Sequence, residues 1–298
     1  MKKRIFVFFA TVLFAFSFSA CNKKDEKKED QSKTEKVSKN IKEGKGALKE
    51  NPASDFKYTM TDDGAGVKIT EYIGSSSKII IPAEIENLPV LEVEELAKRD
   101  HEYGEAYWDS IFEEWTHHRN NVTITHIVFP DSVRSTGLKD VGALSLEHYD
   151  ALEYVKLPAG IIEWEDKDIP SLYYTAHKSP LTGRGIPVNT LPQMSNCEKL
   201  KTVIIPEGIK AIPVFENCSA LESISLPASV EYVPSRAFTN CGSLKEVNIP
   251  DSVEKIAFYY KGEYGDSDQE QFGGTNLNLK TQAKLKQLGY TGTFGTVF

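Results

Sequence analysis

A proline that returns again and again with the same apolar neighbours is the feature that most restricts what this chain can become. Aligned on Pro82, Pro130, Pro158, Pro206, Pro227 and Pro250, six blocks of 14 residues fall into register, from SSKIIIPAEIENLP at 76–89 to LKEVNIPDSVEKIA at 244–257. Three places before the proline stand Ile79, Ile127, Val155, Val203, Ile224 and Val247, and one place before it Ile81, Phe129, Leu157, Ile205, Leu226 and Ile249. Two columns two residues apart point to the same side of a short strand. A third apolar column follows at Ile85, Val133, Ile161, Ile209, Val230 and Val253. The proline has no N–H to donate and a fixed φ, so it ends the strand in every block. No block can bury its apolar side alone; stacked, the blocks make one continuous core.

The spacing between prolines is 48, 28, 48, 21 and 23 residues, which places insertions near 98–121 and 163–194. Insertions in stacked-coil folds map to loops, often on the binding side. The first carries Tyr103, Tyr107, Trp108, Phe112 and Trp115; Tyr107, Ile111 and Trp115 recur every four residues, as on one face of a short helix. That stripe either packs onto the flank of the stack or forms an exposed aromatic contact patch. The second insertion, with Trp164, Tyr173 and Tyr174, reads as an irregular loop open to the same two readings. At the near end Phe56, Tyr58 and Met60 alternate before the turn residues 62–66, and Val67, Ile69 and Tyr72 follow, which predicts a β-hairpin covering the first coil. At the far end 280–288 has helical composition, Gly289 stops it, and 290–298 reads as an irregular tail, so a short helical cover is expected there.

From Cys197 to Ala257 the blocks read NC-x-x-L-x-x-V/I-x-I/L-P-x-x-V/I-x-x-I/V, and Ala237, Phe238, Asn240 and Cys241 close one repeat. This pattern resembles the BspA-like subclass of leucine-rich repeats of bacterial surface proteins. Residues 76–165 match it less fully, lacking the Asn-Cys pair, and 272–277 looks like a last copy with glycine in place of cysteine. The resemblance implies a leucine-rich-repeat solenoid, a right-handed β/α superhelix that is mainly β with short helices and occupies 51–298. It also implies which strand residues face away from the core: Tyr154 and Lys156, Thr202 and Ile204, Ser223 and Ser225, Glu246 and Asn248. Tyr154, Thr202 and Ser223 are therefore candidate binding residues, beside the aromatic ones of the insertions. That outward row is polar and uneven. Cys197, Cys218 and Cys241, each three residues before the leucine of a block, should stack as a buried column of small apolar side chains.

The first twenty residues are of another kind. Lys2, Lys3 and Arg4 precede a nearly uninterrupted apolar run at 5–18, shorter than the ~20 residues that cross a bilayer, so a signal peptide is expected at 1–20. Phe18-Ser19-Ala20-Cys21 resembles the lipobox of bacterial lipoproteins, which implies a lipid on Cys21, although Phe18 departs from the usual aliphatic residue. Residues 22–50 hold 10 lysines and 7 acids and almost nothing apolar, the composition of a disordered tether. It opens Asn22-Lys23-Lys24-Asp25-Glu26, a lysine before two acids that resembles the surface-export signal of some lipoproteins or is only a solvated spacer.

Charge and motifs narrow the function. Residues 51–298 carry 22 basic and 36 acidic side chains, formally −14, which would repel a phosphate backbone and argues against nucleic-acid binding. His101-Glu102 begins like a zinc-protease helix, but Glu105 stands where the second histidine belongs. Adjacent His117 and His118 point in different directions from a helix, and Asp266, Asp268 and Glu270 lack the glycine and distal glutamate of a calcium loop. Neither CxxC spacing nor a cysteine partnered by histidine is present, so no enzyme, cofactor or metal is expected. The expected function is that of a lipid-anchored envelope protein, held through Cys21 and exposed at the surface of the outer membrane, that binds an extracellular or envelope protein. The family resemblance implies adhesion to host or matrix glycoproteins. The alternative is a periplasm-facing envelope scaffold or assembly partner.

Overall fold

Alternation of apolar and polar residues around a tight turn folds the beginning of the chain first. In the computed structural model, β1 (Phe56–Met60) and β2 (Val67–Tyr72) form an antiparallel hairpin with a bulge at Lys57 and Tyr58. Val67, Ile69 and Tyr72 are buried as expected, and Phe56 packs against Tyr72 with ring centroids 5.4 Å apart and the rings tilted by 55°. Met60 departs from the expectation: it is 48% exposed. The register shift between Lys57 and Tyr58 leaves Thr70 of β2 as the extra residue, so Ile69 and Tyr72, three positions apart, are both buried.

The repeat then begins with β3 (Lys78–Ile80), which Pro82 ends, and continues through β4 (Glu84–Ile85) and β5 (Leu88–Val93), an antiparallel pair joined by two residues. Those two, Glu86 and Asn87, have φ of 53° and 63°, the mirror-image turn that matches strand twist. The following coils supply β6 (His126–Val128) with β7 (Ser135–Thr136), β8 (Tyr154–Lys156), β9 (Thr202–Ile204), β10 (Ser223–Ser225) with β11 (Tyr232–Val233), and β12 (Glu246–Asn248) with β13 (Ala257–Phe258). Helix α1 (Leu279–Gln287) follows, its first turn held by Asn278, whose side chain accepts from Thr281 N at 2.8 Å. The structure describes residues 48–96, 123–137, 144–161, 191–234, 236–258 and 271–295, all in the unit that starts at Leu48. The expected signal peptide, Cys21, nearly all of the tether and most of both insertions, with Tyr103, Tyr107, Trp108, Trp115, Tyr173 and Tyr174, lie outside them.

Each proline block forms the expected short strand, and parallel pairing stacks four of them in order β3-β6-β8-β9, with Ile79, Ile127, Val155 and Val203 aligned. All three apolar columns enter the core; of them only Ile161 is partly rather than fully buried. The ladder is not continuous, however. β10 and β12 pair with each other as a separate sheet, although the residue pattern of β10 is that of its neighbours. A second ladder runs after the prolines. There the hairpin joins the ladder: β2 pairs in parallel with β5, and β5 with β7. Later in the chain Ala211, β11 and β13 continue the same kind of pairing. A third line of backbone bonds joins Leu146 N to Gln193 O, Met194 N to Val214 O, Phe215 N to Ala237 O and Phe238 N to Gln271 O.

Two boundaries move. Leu191 and Met194, which proline spacing put in the second insertion, are fully buried, so the coil resumes by residue 191. Asn51 and the end of the expected tether also belong to the fold: Asn51 N donates to Ile80 O, Asn51 Oδ1 accepts from Ile80 N at 2.7 Å, and Glu50 accepts from Ala83 N.

Candidate binding surface

In a three-residue strand whose middle side chain is buried, the two flanking ones must stand on the opposite face. Pairing in register lines them up into two rows. Lys78, His126, Tyr154 and Thr202 form one, and Ile80, Val128, Lys156 and Ile204 the other. Tyr154 and Thr202 are thus direct neighbours, as the sequence predicts, and Ser223 stands exposed on β10 beside them without a backbone pair to Thr202.

The face is less polar than its sequence suggests. Ile80 is buried, and Val128 and Ile204 are half-buried. The rings of His126 and Tyr154 stack 5.6 Å apart at 25°, and His126 Nδ1 lies 2.9 Å from Thr125 Oγ1. Burial, then the charge of Lys78, lower the His126 pKa, so the imidazole is neutral at pH 7; burial raises that of Tyr154. Lys156 is held by Asp131 at 2.7 Å and Lys201 by Glu153 at 3.3 Å. On β10 and β12 the face changes to Ser223, Ser225, Glu246 and Asn248, with both serines exposed.

Behind this face, Cys197, Cys218 and Cys241 form the expected buried column of free thiols. Each Sγ donates at 3.1 Å to a carbonyl of the preceding coil, that of Leu146, Met194 or Phe215. Burial pushes all three thiols up, that of Cys241 to about 12, which keeps them protonated and unreactive at neutral pH. Among the described residues no group of three or more His, Cys, Asp or Glu could hold a metal ion.

The residue before each cysteine carries a role that the sequence reading missed. Asn196, Asn217 and Asn240 have φ of 60–61°, and their side chains bond in series, Asn217 Nδ2 to Asn196 Oδ1 at 2.7 Å and Asn240 Nδ2 to Asn217 Oδ1 at 3.0 Å. His148, with φ 60°, takes the same place one coil earlier, followed by Tyr149 where later coils have cysteine. In the last copy the expected alignment is off by one. Asn240 N donates to Gly273 O as Asn217 N does to Thr239 O, so Gly274 replaces the asparagine and Thr275 the cysteine. A Cβ on Gly274 would sit 2.7 Å from Asn240 Oδ1, and its φ is +72°. The repeated N-C dipeptide, adjacent to a turn, was the available signal.

Residues 192–261 match the model of the BspA type leucine rich repeat region, in six copies. Comparison with curated proteins finds no match. Among solved structures the chain is similar to the leucine rich repeat protein TpLRR of T. pallidum, with 20% identity over 84% of this chain and 100% of that one and a TM-score of 0.44. It is similar to a leucine rich cell surface protein of Faecalibacterium prausnitzii A2-165, with 19% identity, 69% and 44% of the two chains covered and a TM-score of 0.34. A leucine-rich repeat protein of Bacteroides ovatus gives 17% identity, 70% and 55% coverage and a TM-score of 0.28. The matches thus span about half the length of the latter two proteins.

Proposed function

We propose that this chain, a carrier of BspA type leucine-rich repeats, is a bacterial surface protein that binds other proteins through the outward face of its strand ladder. The observation that carries the reading is the pair of in-register rows on β3, β6, β8 and β9, where a stacked His126 and Tyr154 sit among half-buried aliphatic side chains and paired charges. Amphipathic rings with apolar neighbours are what protein interfaces use as anchors. The hairpin and α1 serve as end covers of a right-handed solenoid, and Trp108, Trp115 and the tyrosines of the insertions are further candidate contact residues.

A signal peptide at 1–20 and a lipid on Cys21 would hold this surface at the outer membrane, with the tether as spacer, and the partner class is a host or matrix glycoprotein. Protease treatment of intact cells, followed by blotting for the repeat domain, tests the reading together with capture of immobilised matrix glycoproteins by the full chain. Loss of the domain from intact cells and glycoprotein capture are expected. A domain that resists digestion until the cells are broken would sink the adhesion reading and favour a periplasm-facing scaffold.

A further inference from the structure

We infer that the strand face contains a recess between Tyr154 and Glu246, floored by Thr202 and Ser223, that takes the basic side chains of an extended segment of the partner. This rests on the protein-binding reading of that face. One side of the Tyr154 ring is covered by His126. In the same row the next coils carry Thr202 and Ser223, both short, and then Glu246, which pairs in register with Ser223. Tyr154 pairs in register with Thr202 and Ser223 with Glu246, so with ladder spacing of about 4.8 Å kept across the break between β9 and β10, two small residues would separate Tyr154 from Glu246 by roughly 14 Å at their Cα atoms. The floor is polar where the strands of the first coils are aliphatic and aromatic.

Charge selects the occupant. Lys156 and Lys201, the cations nearest the Tyr154 end, are already held by Asp131 and Glu153. Among the described residues Glu198, Glu207, Glu222, Glu246 and Glu254 form no ion pair on these coils, against the unpaired cations Lys199, Lys245 and Lys255. The whole of 51–298 is formally −14, which favours the approach of a cationic segment. A guanidinium over Thr202 would lie against the free side of the Tyr154 ring, the arrangement of a cation–π contact. On an extended segment the next side chain of the same face comes roughly 6.6 Å further along, over Ser223 and within reach of Glu246. An alternating basic pattern therefore fits the recess, whereas an acidic one meets Glu246 and Glu222.

The test uses the full chain and two fluorescein-labelled short peptides, one with arginine and one with glutamate at alternate positions, read by fluorescence anisotropy. The arginine peptide should bind and the glutamate peptide should not. Glu246→Gln should weaken binding by about tenfold, Ser223→Arg, which fills and charges the recess, should abolish it, and Glu198→Gln, on the exposed turn that precedes β9, should leave it within roughly twofold. Circular dichroism reports whether each variant keeps its fold. The inference is overturned if Glu246→Gln and Ser223→Arg both bind the arginine peptide like the wild type, or if the glutamate peptide binds equally well. Its failure is separable from that of the surface reading: glycoprotein capture that Ser223→Arg blocks, with no binding of the arginine peptide, would keep the face and discard the basic segment.

Discussion

Asparagine and cysteine stand side by side in the repeat for different reasons, and only one of them is legible from the sequence. Cysteine is small, apolar and spaced at 21 and 23 residues, so a buried column follows from composition and period alone. The asparagine beside it is there for a backbone in the left-handed region, which costs most residues about 1–2 kcal/mol and which asparagine tolerates. It also passes one hydrogen bond to the next coil, a relation that becomes visible only when coils are stacked. The off-by-one alignment at Gly274 has a physical cause too. The segment from Thr275 to Leu277 is one residue shorter than that from Cys241 to Leu244, because Asn276 N and Asn278 N donate to the carbonyls of Leu244 and Lys245 as the chain turns into α1. Asn217→Ala should cost roughly 2–4 kcal/mol in urea unfolding, the sum of two lost hydrogen bonds and left-handed strain, and Asn217→Gly about 1–2 kcal/mol less. Equal losses for the two variants would mean that the backbone conformation contributes nothing.

At the level of elements, all six strands of the proline blocks, the hairpin and α1 were readable, because each has a local period or a local stop signal. What local patterns do not contain is the choice of partner. That β2 joins β5 depends on residues 23 to 24 positions apart, and that Arg134 of the second block reaches both Asp63 at 2.8 Å and Glu92 at 3.0 Å depends on residues 71 and 42 positions away in the chain. Asp63 accepts from the Thr61 hydroxyl at 2.7 Å and from Ala65 N at 3.0 Å as well, and these bonds, the hydroxyl first and Arg134 after them, lower its carboxyl to about 2. A depressed folded pKa stabilises the hairpin turn at pH values above the unfolded value of about 3.9, and that stabilisation is lost as pH falls toward 2. Asp63→Asn should therefore lower the Tm at pH 7, and the gap from wild type should close between about pH 4 and 2. A gap that stays constant over that range would assign the loss to something other than the carboxylate.

For the whole molecule, the most consequential feature is the interruption between β9 and β10. Ile81, Phe129, Leu157 and Leu226 each donate their amide to the next coil, at 2.9 to 3.1 Å, whereas Ile205 has no such bond among the described residues. Side chains bridge the gap instead: Ser229 Oγ accepts from Gly208 N and donates to Ile209 O, and Glu207 accepts from Ala228 N. Sequence could not announce this, since the blocks on both sides carry the same pattern. Hydrogen exchange should find the Ile205 amide at least about tenfold less protected than those of Leu157 and Leu226, and equal protection would mean that the two sheets behave as one in solution. The candidate surface was legible in the same measure: the register named Tyr154, Thr202 and Ser223, but the stacking of His126 on Tyr154 needs two coils 28 residues apart to meet. At the opposite end of the ladder, Asn51 presents its main-chain N–H and its carboxamide oxygen to Ile80, imitating with one residue the neighbour that β3 would otherwise seek. A ladder finished in this way offers no template to a second molecule there, so copies at high local concentration would stay separate instead of growing into fibres through that edge.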